Sequence, residues 1–215
     1  MTRHELHQKD MVITPLIFQG QSPYQIITNH PELDMSVRTL YSYLDKGILS
    51  ARNIDLKRQV EFNPRKVHKT QIKDRSVFIR RMFSDFLTLF NTILTDCGSE
   101  FGDPESIENG INGIMRSSIY YCDPMRSGQK GGIEQTHTML QMILPKKTSF
   151  EYLTQWDLRT IVDHINSTPR ESLGGRTPYD VALENYGIDI LKALQLRPIP
   201  PDEVNLTPKL IRFNH

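Results

Sequence analysis

The sequence predicts a mainly α-helical protein with a small β portion. Three observations lead there. Helix-start signals recur at Thr14-Pro15, Ser22-Pro23, Ser36, Thr154 and Thr177-Pro178. Apolar residues spaced i, i+3, i+4 and i+7 follow several of them. Only two short stretches, around Thr92–Thr95 and Ser118–Cys122, read as strands. With 215 residues, 38% hydrophobic and 24% charged, the chain is expected to be soluble and globular, with one or two domains. The first ten residues carry no apolar run of the secretory kind, and nothing approaches a membrane span. Two cysteines, Cys97 and Cys122, are too few for a disulfide scaffold or a zinc site and read as reduced, cytoplasmic thiols.

Residues 14–50 predict three short helices. Thr14 caps a first helix that Gly20 stops. Ser22 and Gln25 form a capping box, with Pro23 at the first helical position. Ser36 caps a third helix, with Met35 and Leu40 spaced as a hydrophobic staple and Gly47 as its end. Val37, Leu40, Tyr41 and Leu44 form its buried stripe. The remaining face offers Ser36, Arg38, Thr39, Ser42 and Tyr43. A short helix, a turn and a capped helix with such a face describe a helix-turn-helix, whose second helix would enter the major groove of double-stranded DNA. An ordinary three-helix bundle fits the same pattern. What favours DNA is the stretch from Arg52 to Arg81, with ten Lys/Arg against three acids. Arg65, Lys66 and Lys69 lie within it, and such a run can neutralise phosphates. Taken alone, it reads equally as a solvated linker.

Ile93 and Leu94 predict a short buried strand that ends at Asp96, and Gly98 permits a turn after it. A second strand covers Ser118–Cys122, and Asp123-Pro124 breaks it. A helix starts near Ile133, with Glu134, Thr138 and Gln141 on one face and Met139, Met142 and Ile143 towards a core. Two carboxylates delivered from a strand end and a helix can share divalent metal ions. A lone Asp and a lone Glu are, by themselves, more often solvated surface. Thr154 and Asp157 cap a further helix with a stripe of Leu158, Ile161, Val162 and Ile165. Trp156 and Tyr152 are expected to pack against the core rather than to stack on bases. Thr177-Pro178 with Asp180 starts a last helix, ended by Gly187. The segment RPIPPDEV is expected to run extended over the surface, with no chemistry of its own.

The local strings TDCGSEF, YYCDP, the GG-I-E helix start and HINSTPRESLGGRTPYDVA follow one another in a recognisable order. They resemble the catalytic core of DDE transposases and retroviral-type integrases, and in particular the insertion-sequence transposases of the IS-thirty family. The resemblance covers residues 14–50 and nearly everything from 91 onward. It implies an N-terminal helix-turn-helix plus a truncated RNase H-like α/β core, so that the β portion is a small remnant. It implies domains at 1–50 (helix-turn-helix), 51–90 (basic connector), 91–190 (partial catalytic core) and 191–215 (proline-containing tail). It also implies that Asp96 and Glu134 are the second and third catalytic carboxylates and hold Mg²⁺. Asn166, Pro169, Arg170, Thr177 and Pro178 match a family segment with a packing role. The implied partners are transposon terminal repeats and target DNA, and the implied setting is a bacterial nucleoid. Self-association or pairing with a full-length transposase also follows.

Two departures stand against this. Cys97 replaces the family's usual Asn. More seriously, the family's first Asp comes from a strand roughly fifty to sixty residues upstream of Asp96, because three strands and a helix must fit between them. Here Asp85 lies 11 residues before Asp96 and Asp74 lies 22 before it. The sequence therefore implies an internal deletion near Phe90-Asn91, weak metal binding and lost strand transfer. Alternatives are an active enzyme using Asp74 or Asp85, and a DNA-binding regulator of transposition.

Overall fold

The computed structural model describes residues 3–56, 89–95, 101–109, 113–122, 131–146, 148 and 153–211. In chain order its elements are α1 (Arg3–Phe18), α2 (Pro23–Asn29), α3 (Val37–Asp45), β1 (Thr92–Thr95), α4 (Pro104–Glu108), β2 (Ser118–Tyr121), α5 (Gly131–Ile143), α6 (Gln155–Asn166) and α7 (Pro178–Ala193). The protein is mainly helical with one small sheet, as the sequence predicts. It divides into two compact units. One joins Met1–Glu61 to Ile133–His215, and the other is Phe62–Gly132. Among the described residues no helix is long and apolar enough to cross a membrane.

In the first unit, α1 begins well before the Thr14-Pro15 signal. Thr14 is not a cap. Its hydroxyl donates to Asp10 Oδ1 at 2.6 Å and accepts the Ala51 N–H at 3.1 Å. Pro15 lies inside the helix, where its missing N–H leaves one helical bond unmade. The polar start hid a stripe of Leu6, Asp10, Ile13 and Ile17 along one face. Asp10 sits on that stripe because it accepts the Ser50 N–H at 2.9 Å and the Ser50 hydroxyl at 2.6 Å. Burial pushes its carboxyl up, but the Ser50 and Thr14 hydroxyls and the Ser50 amide outweigh that and hold it below its ordinary value.

Ser22 and Gln25 form the expected capping box, and Ser36 caps α3. Leu40 and Leu44 are buried with Ile13, Leu16, Ile17, Ile26, Leu33 and Leu49 in a first core. The expected α3 stripe is corrected at one position. Tyr41 is 43% exposed, while Tyr43, on the other side of the stripe, packs against the core. A nine-residue helix lying on two others buries only a narrow face.

A second core gathers Met139, Ile143 and Leu144 from α5 and its end with Ile161 and Ile165 from α6. Leu158 and Val162, expected in the same stripe, are exposed. Their place is taken by Asp163, His164 and Ser167, which are buried and polar. The reason is the segment after α7. Residues 197–203 lie mostly exposed, as expected of RPIPPDEV, but from Val204 onward the segment turns inward. Val204, Leu206 and Ile211 belong to the second core. The Arg197 N–H donates to Asp163 Oδ1 at 3.0 Å, Ile199 N–H to Ser167 Oγ at 2.8 Å, and Asn205 N–H to His164 Nδ1 at 3.1 Å. Irregular backbone can be buried only if its polar groups find partners, and these side chains supply them.

The same strap reaches the N-terminal helices. Leu206 N–H donates to the Gln19 carbonyl at 2.9 Å, and Gln21 Nε2 donates to the Pro201 carbonyl at 2.8 Å and the Val204 carbonyl at 3.1 Å. His30 lies between Glu32 (2.8 Å) and Asp202 (2.9 Å). Gly20 has φ +82°, and a Cβ there would meet Leu206 O and Thr207 Cγ2 at 3.2 Å. At Gly175, with φ +84°, a Cβ would likewise meet Thr28 Cγ2 of α2 at 3.2 Å. Thr177 and Asp180 form the expected box at the start of α7. Gly187, at φ 77°, breaks that helix, which resumes and runs to Ala193 instead of ending there.

In the second unit, β1 and β2 pair in parallel, Thr92 opposite Ser118 through Thr95 opposite Tyr121. Among the described residues the sheet has these two strands alone. The expected buried strand is corrected: Leu94 is 45% exposed, and Thr95 is the buried member. Asp103 caps α4, whose Ile107 is fully buried. Glu108 then ties α4 to the sheet by accepting the Ile119 N–H at 2.8 Å. Cys122 is a buried free thiol.

Candidate functional site

The α3 face is set by its cap. Ser36 Oγ accepts the Thr39 N–H at 3.1 Å and lies 2.8 Å from Thr39 Oγ1. Ser36 thus fixes where the helix begins and has little hydrogen-bonding capacity left for a base. Ser36, Thr39 and Tyr43 line a cleft with Glu5 and Lys9 of α1, and Lys9 Nζ donates to the Leu33 carbonyl. Arg38 is exposed, as are Tyr41 and Lys46, while Ser42 is half-buried. The structure therefore splits the expected set. Arg38 and Ser42 are on the outer side, and Thr39 and Tyr43 turn towards α1. Tyr41 joins the outer side, which sequence periodicity had assigned to the core. Its only sequence signal is its place at the stripe's edge.

Arg65, Lys66 and Lys69 lie outside the described residues, as do Asp74, Asp85, Asp96 and Cys97. Glu134 is exposed in the first turn of α5, one turn before Thr138, whose hydroxyl donates to the Glu134 carbonyl at 2.9 Å. An acid in a first turn also complements the helix dipole, which needs no ligand. Among the described residues no group of three His, Cys, Asp or Glu could hold a metal ion. A cation acting on a phosphodiester needs several fixed oxygen ligands. Glu134 by itself supplies too few oxygens to hold Mg²⁺.

Arg170 anchors α5 from the loop after α6. Both of its terminal nitrogens lie 3.4 Å from Thr136 Oγ1, and burial pushes its guanidinium below its ordinary value. Its backbone N–H donates to the Arg176 carbonyl at 3.1 Å, and its carbonyl accepts Leu173 and Gly175 N–H groups at 3.0 Å each. One residue therefore closes the turn and steadies the helix that carries Glu134. Pro169 is buried beside it.

Sequence comparison gives relatives of one kind. The chain is 31% identical over 90 residues to a transposase for insertion sequence element IS4351 of Bacteroides fragilis, covering 42% of this chain and 26% of that protein. It is 36% identical over 63 residues to the transposase for IS1086 of Cupriavidus metallidurans, covering 29% and 19%. It is 33% identical over 63 residues to the transposase InsI for IS30A of Escherichia coli K12, covering 29% and 16%. The matched stretches thus span about a quarter or less of those relatives' own length. No protein-family model matches, and no solved structure matches. The chain is a part-length relative of the insertion-sequence transposases, those of the IS30 elements among them.

Proposed function

We propose that this is a transposase-derived DNA-binding protein of an insertion sequence, which keeps duplex recognition and has lost strand transfer. The observation that carries the reading is the relationship to insertion-sequence transposases. The local arrangement supports it. A cap-fixed α3 presents Arg38, a residue suited to guanine edges or phosphates, with Ser42 and Tyr41 on the same outer side. The basic stretch that follows would contribute contacts to phosphates through Arg65, Lys66 and Lys69. Loss of catalysis follows from the missing first Asp. Asp96 and Glu134 would then be a ligand pair without its third member.

Binding to terminal-repeat duplexes, followed by fluorescence anisotropy, tests the first half. Affinity should fall steeply between about 50 and 200 mM salt. Arg38→Ala should cost about 1–3 kcal/mol on the preferred sequence and flatten the preference, whereas Lys66→Ala should weaken all sequences alike. Affinity indifferent to salt, or preference unchanged in Arg38→Ala, contradicts the reading. Strand transfer with Mg²⁺ or Mn²⁺ tests the second half. No product is expected, and robust product abolished by Glu134→Gln would overturn the claim of lost catalysis.

A further inference from the structure

Trp156 is the single tryptophan of the chain. Sequence reasoning placed it in the core, yet it is 61% exposed. The Arg197 guanidinium carbon lies 5.6 Å from its ring centroid. Trp156, Arg159, Asp163, Gln195 and Arg197 line a cleft of about 150 Å³, within the first unit.

Beside the contact of Arg197 with Trp156, the walls of this cleft leave capacity for a ligand. A large exposed aromatic beside a guanidinium is a platform on which a flat ring can stack. Arg159 is exposed and makes no ion pair among the described residues. Asp163 uses one oxygen for the Arg197 N–H at 3.0 Å, and its other oxygen makes no hydrogen bond among the described residues. Gln195 closes α7 at φ 59°, donating its N–H to the Lys192 carbonyl at 2.9 Å. Glycine is usual at such a position. A long polar side chain in that conformation, on the rim of a cleft, marks a candidate functional position.

We propose that this cleft binds an unpaired nucleotide of single-stranded nucleic acid, one whose base carries an exocyclic amino group. The base stacks on Trp156, its amino group donates to Asp163, and its phosphate lies against Arg159 and Arg197. Bases stacked inside a duplex expose no free face, so the interior of a duplex is excluded. An acidic peptide would engage the arginines but would use neither the ring nor the carboxylate. The inference rests on the DNA-binding reading only for the kind of nucleic acid, since duplex contacts are assigned elsewhere, to α3.

The tryptophan fluorescence of the 215-residue chain reports on this site, because Trp156 is its only tryptophan. Short oligo(dC) should quench it, and a hairpin-closed duplex should not. Oligo(dC) should bind more tightly than oligo(dT), and Asp163→Asn, which keeps an acceptor for Arg197, should remove that difference. Trp156→Leu should weaken oligo(dC) by about fivefold or more, read by anisotropy of a labelled oligonucleotide, and leave duplex affinity unchanged. Oligo(dC) tighter than oligo(C) assigns the site to DNA, and the reverse assigns it to RNA. Arg38→Ala should lose duplex preference but keep the quenching, so the two readings fail separately. Absence of quenching, equal quenching by duplex, equal affinity for oligo(dC) and oligo(dT), or full affinity in Arg159→Ala/Arg197→Ala would each overturn the proposal.

Discussion

His164 shows what one side chain can decide in this chain. It is buried in α6, and its Nδ1 accepts the Asn205 N–H. An acceptor nitrogen carries no proton, so this bond requires the neutral ring. Burial pushes the imidazole below its ordinary value of 6.5, and the neighbouring Asp163 only partly restores it. The sign follows directly. The unfolded chain takes up the proton first, so the contribution of His164 is complete above about 6.5 and declines as pH falls towards the folded value. Asp163 runs the other way. Burial raises its carboxyl above 3.8, despite the Arg197 N–H bond, so its contribution is complete below that value and is lost as pH rises through the folded one. Thermal melts should therefore show falling stability between pH 7 and the His164 folded value. His164→Asn keeps an acceptor and cannot titrate, so it should flatten that slope. An identical slope in the variant would remove His164 from the account.

At the scale of elements, the strap after α7 does most to shape the first unit. It buries Val204, Leu206 and Ile211 and uses α6 side chains and the α1–α2 turn to satisfy its backbone. Leu206 is the point where both ends meet. Its side chain is 1% exposed in the second core, and its N–H reaches Gln19. Leu206→Ala should cost about 2–5 kcal/mol, as other large-to-small core changes do. Gly20→Ala should also destabilise, because the left-handed backbone disfavours a side chain and a Cβ would press on Leu206 O and Thr207 Cγ2 at 3.2 Å. Hydrogen exchange separates this from a local effect. Both variants should speed exchange in α1 and in α6 together. Loosening confined to one of the two helices would mean that the strap does not couple them.

For the whole molecule, the contrast lies between the two units, each taken by itself. The first has two cores and a strap. The second, among its described residues, has a parallel pair of four-residue strands and one short helix. Parallel sheets are ordinarily covered on both faces, and a two-stranded one is marginal in water. Exposed Leu94, on a strand that pairs along one edge alone among the described residues, invites association with another copy. In dilute protein the amides of Ile93 and Leu94 should exchange far faster than that of Leu40, which bonds to Ser36 O at 3.0 Å within a buried helix face. Protection at Leu94 that rises with protein concentration would indicate pairing between copies. Equal, strong protection in a monomer would show that the chain has rebuilt a closed sheet, and the case for lost catalysis would reopen.

Local chemistry was readable in the residues themselves. Ser22 with Gln25, Thr154 with Asp157 and Thr177 with Asp180 form their boxes as expected, because a cap depends on atoms three residues away. Leu40, Leu44, Met139, Ile143, Ile161 and Ile165 are buried as their spacing implied. The mainly helical fold class and the kinship with insertion-sequence transposases were legible for the same reason, since both rest on short contiguous strings. What distant contacts settle was not. Tyr41 and Tyr43 exchange roles because α1 lies on one side of α3, and α1 starts early because Asp10 has a partner forty residues away, Ser50. Asp163, His164 and Ser167 are interior only because an irregular strap needs their side chains, and Trp156 and Arg197 meet only because that strap returns past α6. Periodicity records which face of an element is apolar. It does not record which backbone will arrive to be satisfied there, and that is decided when the chain closes on itself.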